Sequence, residues 1–240
     1  MEEFFDEEEE SKTWSILFLP FLLLGFRKGI DLGLKQGPGT TKPEDVFTAS
    51  VRQALEGRSL DHASKTIGTT KEALQGELKA AIEGGESVKQ LAKRIDQLYG
   101  QQMGYRSVRI ARTELTGVVN EGTVKTLARE GFTQKEWSTV IDGRERPTHA
   151  DANGQVVGIN DFFRVGGASC AAPGDPILPV SELVNCRCIC VGAGLQEDRR
   201  KAIGREFLRL HGAIEYRFVV SLRRAFSEQR NRVLSQFPPL

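Results

Sequence analysis

Long apolar runs are missing from this sequence of 240 residues. The longest, residues 14–26, is about 13 residues with Pro20 at its centre. A bilayer span needs roughly 20, so no membrane-spanning segment is expected. The residues ahead of it, Glu2, Glu3, Asp6, Glu7, Glu8, Glu9 and Glu10, are acidic. A secretory leader needs a basic start, so no leader is read here. Excess charge of one sign is missing too: 33 Lys+Arg face 32 Asp+Glu, for a net +1. That balance argues against a protein that binds nucleic acid with its whole surface. There is no glycine-rich phosphate loop, nucleophile elbow or second candidate base. Against these absences, 39% hydrophobic residues suffice for a core. With 27% charged residues and a mean hydropathy of −0.32, the chain is neither membrane-embedded nor wholly disordered. The length fits one large domain or two small ones.

The near-neutral total hides segregation. Residues 1–50 carry a net −5 and residues 195–240 a net +5, with +3 and −2 between them. An acidic head and a basic tail suggest ends that meet different partners, unless both are simply solvated faces. The apolar run in the head must be covered, by the chain's own core or by a partner. It reads as a buried helix kinked at Pro20. Gly37-Pro38-Gly39-Thr40-Thr41 then breaks the chain, and Pro43 opens the next helix.

Four segments follow from composition: 1–42, acidic then apolar; 43–131, helical; 132–194, a small antiparallel β unit; and 195–240, a basic amphipathic helix. In the helical region Leu74, Leu78, Ala81 and Ile82 share a face, and Gly84-Gly85 ends that helix. Ser87 or Glu86 caps the next, and Gly100 is expected to stop it. A long helix then runs over about 105–129. His62 and His211 are isolated and read as incidental.

From residue 132 the texture changes. Residues 136–141 are β-rich and predict a strand. Asp142-Gly143 is a turn, and Asn153-Gly154 a hairpin signal before a short strand at 155–159. Residues 186–191 alternate and read as a last strand, with Cys186, Cys188 and Cys190 on one face and Arg187 on the other. The fold class is α+β, with helices around a small antiparallel sheet with large loops.

In the tail, Ile203, Phe207, Leu210, Ile214, Phe218, Leu222 and Phe226 recur at helical spacing. Something must bury that stripe: the chain's own helices, a second copy or another protein. The arginines off the stripe, Arg200, Arg209, Arg217 and Arg224 among them, could touch DNA or an acidic partner. Pro238-Pro239 ends the helix.

Polar residues gather in the β unit in a way a generic domain would not need. Asp142, Arg144, Arg146 and His149 follow the first strand, and Asn185, Cys186, Arg187 and Cys188 open the last. Four readings stand side by side. The arginines with Asp142, Asp151 and Asp175 would make a buried ionic lattice that fixes the loops. His149, Cys186 and Cys188 with Cys170 or Asp142 would make a tetrahedral zinc set, although Cys-x-Cys is an unusual zinc spacing. His149 and Cys186 would make a base and nucleophile, oriented by Asn185 or Asp142. A disulfide would draw on Cys170, Cys186, Cys188 and Cys190, with free thiols the default in a reducing compartment.

The order of these residues resembles the phage Mu F-like minor head proteins, the phage head morphogenesis family. The resemblance is carried by Ile110-Ala111-Arg112-Thr113-Glu114 with Asn120, then Trp137, then Asp142, Arg144, Arg146 and His149. Gly154, Phe162, Pro173-Gly174-Asp175-Pro176 and Val184-Asn185-Cys186-Arg187-Cys188 complete it. It covers about residues 86–192. No single piece is specific; the joint order is. Many members have a longer N-terminal helical region that binds the portal, where this chain has a short, acidic one.

The resemblance implies a structural virion protein, present in few copies at the portal vertex of a tailed-phage head. Its expected partners are the portal protein and other head proteins, with packaged DNA and self-association as further candidates. It implies a place in head assembly and DNA packaging or ejection, with the host cytoplasm as the site of assembly. It implies no enzyme and no cofactor, and Arg112, Glu114, Asp142, Arg144, Arg146, His149, Asn185, Cys186, Arg187 and Cys188 as structural residues. Some members carry an added C-terminal toxin, for which this chain leaves no room. The competing classes are a His149/Cys186 enzyme or toxin-like domain, and a DNA-binding accessory protein using the tail.

Overall fold

The computed structural model describes residues 6–236, so Glu2, Glu3 and Pro238-Pro239 lie outside the described residues. The chain is α+β and 68% helical. Its helices are α1 (Glu7–Leu34), α2 (Pro43–Val46), α3 (Ala49–Glu83), α4 (Val88–Gln101), α5 (Ser107–Arg129), α6 (Pro147–Ala152), α7 (Val180–Leu183) and α8 (Glu197–Leu234). The strands are β1 (Gln134–Ser138), β2 (Val156–Gly158), β3 (Phe163–Val165), β4 (Ala168–Cys170) and β5 (Ile189–Gly192). No helix among the described residues is long and apolar enough to cross a membrane.

The chain divides into two compact units. One is built from Met1–Pro20, Ala54–Val108 and Arg217–Leu240. It is all helix among its described residues, and its core is aromatic. Trp14 meets Phe226 edge-on at 4.6 Å between ring centres, and Phe18 meets Phe218 at 5.2 Å. The apolar run of the head and the far half of the tail stripe therefore cover each other within one chain. Charges close the ends of this unit: Arg232 pairs with Glu10 at 2.5 Å, Lys71 with Glu7 at 2.9 Å and Arg230 with Asp96 at 3.2 Å. Ser87 caps α4 in a reciprocal box with Gln90, which satisfies two N-terminal donors. Gly100 does not stop α4. The helix runs on to Gln101, and a π-helical turn over Gln102–Arg106 follows. The break falls at Gly104, whose ψ of −113° leaves the helical region.

The second unit is built from Phe21–Gln53 and Arg109–Tyr216. Here α1 lies directly on α5. A Cβ placed on Gly29 would sit 2.1 Å from the Val119 carbonyl oxygen, and one on Gly122 2.3 Å from that of Phe26. Gly25 and Gly33 meet Val118 and Thr126 almost as closely. Only residues without a side chain allow this approach. Thr123 Oγ1 then donates across it to the Gly29 carbonyl at 3.1 Å.

β1 is the central strand of a three-stranded antiparallel sheet in the order β2–β1–β5, and β3 and β4 form a separate hairpin. Trp137 pairs with Cys190 and Glu136 with Val156. One core of this unit holds Trp137, Phe163, Val165, Leu178 and the four cysteines. Another holds Leu32, Val119, Ile189, Val191, Ile203 and Phe207, so the near half of the tail stripe is also covered by its own chain.

The strands are met by side-chain amides. Asn120 accepts from Cys190 N at 2.7 Å and donates to the Cys188 carbonyl at 3.0 Å. Gln36 accepts from Gly192 N at 2.9 Å. Gln155 accepts from Arg164 N at 2.7 Å and donates to its carbonyl at 3.1 Å. The last strand is shorter than expected: β5 begins at Ile189, so Cys186 and Cys188 belong to the loop before it.

Candidate functional site

The loop at 184–188 is where the polar residues of the β unit converge. The Arg146 guanidinium donates to the Val184 carbonyl. Asn185 has φ of 60°, the one positive value among the described non-glycine residues. Asparagine tolerates that left-handed turn better than most side chains. Its N–H donates to Thr113 Oγ1 at 3.1 Å, and its side-chain oxygen lies 3.5 Å from Arg112. The Cys186 carbonyl accepts from Thr116 at 2.7 Å. Arg187 grips Asp142 with two bonds, at 2.5 and 2.8 Å. The Cys188 carbonyl is taken by Asn120. Thus α5 supplies Arg112, Thr113, Thr116 and Asn120 at helical spacing, so that one helix face grips the loop.

Arg112 also pairs with Glu215 of α8 at 2.7 Å. Glu215 lies 3.1 Å from His211 Nδ1, whose other ring nitrogen meets Thr116 at 3.0 Å. His211 is therefore a buried member of the network and not incidental. Burial alone would raise the Glu215 pKa, but His211 and Arg112 hold it below its ordinary value. Glu114 is buried on the same helix.

The ionic lattice differs from the expected one. Arg144 and Arg187 both bond Asp142, which lowers its pKa strongly, Arg187 first and Arg144 second. The cluster lies towards the surface, with the Arg144 side chain 77% exposed. Asp175 does not join it. Its carboxylate accepts from Ala171 N and Ile177 N and shapes its own turn. Asp151 is exposed on α6.

Deeper in, His149 sits on α6 against Trp137, ring on edge at 5.6 Å. Its Nδ1 is 3.3 Å from Cys188 Sγ and 3.7 Å from Cys186 Sγ. Its Nε2 faces Glu182 Oε2 at 3.2 Å, off the line of a straight hydrogen bond. Thr148 steadies that carboxylate at 2.8 Å. His149, Cys186 and Cys188 form one group of potential ligand atoms, all within 4.8 Å of one another; Cys170 is outside it. All four cysteines are free thiols. The Cys186 thiol, bonded to Cys188, lowers the Cys188 pKa, and His149 and Thr139 lower it further. The Cys186 pKa is raised by that same bond and by burial.

Two further buried residues were not singled out by the sequence. Glu182 is one, hidden in a four-residue helix within a proline-rich loop. Lys135 is the other, on β1. Its Nζ donates to the Ala171 carbonyl at 2.8 Å and stands 5.3 Å from the centre of the Phe163 ring. Burial lowers its pKa. Among the tail arginines, Arg200 pairs with Glu136, Arg209 with Glu206 and Arg224 with Glu228. Arg217 is exposed. A groove of about 540 Å³ runs beside α8, with Thr139, Ile141, Asn153, Arg200, Arg205 and Leu208 in its lining. None of the ten motif residues lines it.

The α5 helix thus bonds an Asn-Cys-Arg-Cys loop that leads into the last strand of a small sheet. The chain belongs to the phage Mu protein F-like family, whose model matches residues 72–191. A relative in Bacillus subtilis (strain 168), the uncharacterized protein YqbB, is 27% identical over 150 residues. That match takes in 58% of this chain and 49% of the relative, so the chain spans about half the length of the curated protein it resembles. No solved structure matches the chain.

Proposed function

We propose that this chain is a minor structural protein of a tailed-phage head that docks at the portal vertex and assists head assembly and DNA passage. It works by binding and not by turnover. The observation that carries this reading is the use made of the motif residues. Arg112, Arg146 and Asn120 hold backbone or side-chain groups of one loop, Arg187 is held by Asp142, and Asn185 makes the turn. Such a set specifies a shape. A catalytic set would direct polar groups at a cavity where substrate could sit. Pairing of Arg200, Arg209 and Arg224 with glutamates lowers the field available to DNA, which favours a protein partner.

The test is co-expression with the portal protein of the same phage genome. Co-purification of the two, and recovery of this chain in purified heads, are the expected results. Absence from heads, together with no portal binding, would overturn the proposal.

A further inference from the structure

We propose that His149, Cys186 and Cys188 hold a zinc ion that locks the 184–188 loop to α6, independently of what the protein docks against. The three ligand atoms lie within 4.8 Å of one another, and the two nitrogen–sulfur separations are zinc-like. Thiolate bonds of about 2.3 Å and imidazole bonds of about 2.05 Å put a nitrogen and a sulfur roughly 3.6 Å apart across a tetrahedron. The measured Nδ1–Sγ separations, 3.3 and 3.7 Å, fall on either side of that value.

The surroundings point the same way. His149 and both cysteines are at most 3% exposed, inside an apolar cluster with Trp137 and Phe163. A histidine facing a carboxylate is costly in such a place unless something organises it. Glu182 stands on the far nitrogen of the ring, 3.2 Å from Nε2. The negative charge of a carboxylate this close favours the proton on Nε2 and leaves Nδ1 to ligate, the side on which carboxylates stand behind metal-bound histidines. Glu182 is itself anchored by Thr148.

Binding Zn²⁺ releases the two thiol protons to solvent, and the two thiolates then balance the ion's charge. No electron transfer is involved. With three protein ligands, a water would complete the tetrahedron. The Cys-x-Cys spacing, awkward on an extended strand, is workable because both residues precede β5 in a loop turned by Asn185.

The experiment uses the full chain without an affinity tag, produced with zinc in the medium and purified without chelator. Elemental analysis is expected to give about one zinc per chain. Cobalt exchanged into the site should give thiolate-to-metal charge-transfer absorption and intense tetrahedral ligand-field bands. A strong chelator should lower Tm, and zinc should restore it. Cys186→Ser and Cys188→Ser should each lose at least nine-tenths of the metal, while Cys170→Ser keeps it. Glu182→Gln should weaken affinity by about 10–100-fold.

Wild-type protein that takes up neither zinc nor cobalt, with a Tm indifferent to both, would overturn the proposal. So would a Cys186–Cys188 disulfide in the native protein. Both are read on wild-type chain, so a variant that fails to fold leaves the decision intact. Wild-type protein that takes up no metal yet binds the portal would sink the zinc site and leave the docking role standing.

Discussion

Replacing Asn120 by alanine tests whether side-chain amides hold this fold together. Asn120 is 1% exposed and bridges α5 to the start of β5. Alanine leaves the Cys190 N–H and the Cys188 carbonyl without their partner, 2.7 and 3.0 Å away in the native protein. Each orphaned buried group costs about 1–3 kcal/mol. The pair therefore comes to about 4 kcal/mol, or a Tm lower by about 8–16 °C for a chain of this length. Thermal unfolding followed by circular dichroism measures it. Asn120→Asp sharpens the test. Its carboxylate still accepts from Cys190 but repels the Cys188 carbonyl and buries a charge without a counter-ion. Burial raises a carboxyl's pKa. The Asp variant should thus be badly destabilised at neutral pH and recover below about pH 6, where the protonated acid donates again. A Tm loss under about 2 °C in the alanine variant, or no acid recovery in the Asp variant, refutes the reasoning.

Three more predictions concern packing and charge. Gly29→Ala, with its Cβ 2.1 Å from a carbonyl oxygen, should cost about 3 kcal/mol in denaturant unfolding, whereas Gly57→Ala, in open space on α3, should stabilise by about 0.5–1 kcal/mol. Asp142 has its pKa depressed by Arg187 and Arg144, so its contribution is present above about pH 4 and lost as pH falls further. In Asp142→Asn the acid limb of the stability profile should be shallower. Lys135 has its pKa lowered by burial, so the unfolded chain binds the extra proton in the window below about pH 10.4 and stability rises with pH there. Lys135→Met should abolish that alkaline gain in a Tm-versus-pH series.

Much of the helical architecture was legible because periodicity reports burial directly. Ile203, Phe207, Ile214, Phe218, Leu222 and Phe226 are all buried, as their spacing requires. Ser87 caps α4, and Gly84-Gly85 follow the end of α3 at Glu83. What escaped was set by contacts distant in sequence. Gly100 looked like a stop, but a glycine ends a helix only where the chain must leave it, and that point is Gly104. Residues 186–188 alternate like a strand, yet the bonds from α5 hold them as a loop. His211 looked isolated because Thr116 and Glu215 come to it only in the fold. Lys135 is polar in sequence and buried in space for the same reason. Gly25, Gly29, Gly33 and Gly37 were in view throughout at four-residue spacing, a pattern that marks close helix contact and that hydrophobic periodicity ignores. Nothing in the periodicity of α1 or α8 marks the point where each passes from one unit to the other.

The amide side chains along the small strands have a consequence for how the chain meets other chains. A strand with open N–H and C=O groups is a template on which another chain can polymerise. Asn120 and Gln36 occupy donors of β5 at Cys190 and Gly192, and Gln155 occupies both groups of Arg164 on β3. Each stands where a neighbouring strand would. On β5 and β3 the chain therefore carries its own terminators against addition of a strand from another chain.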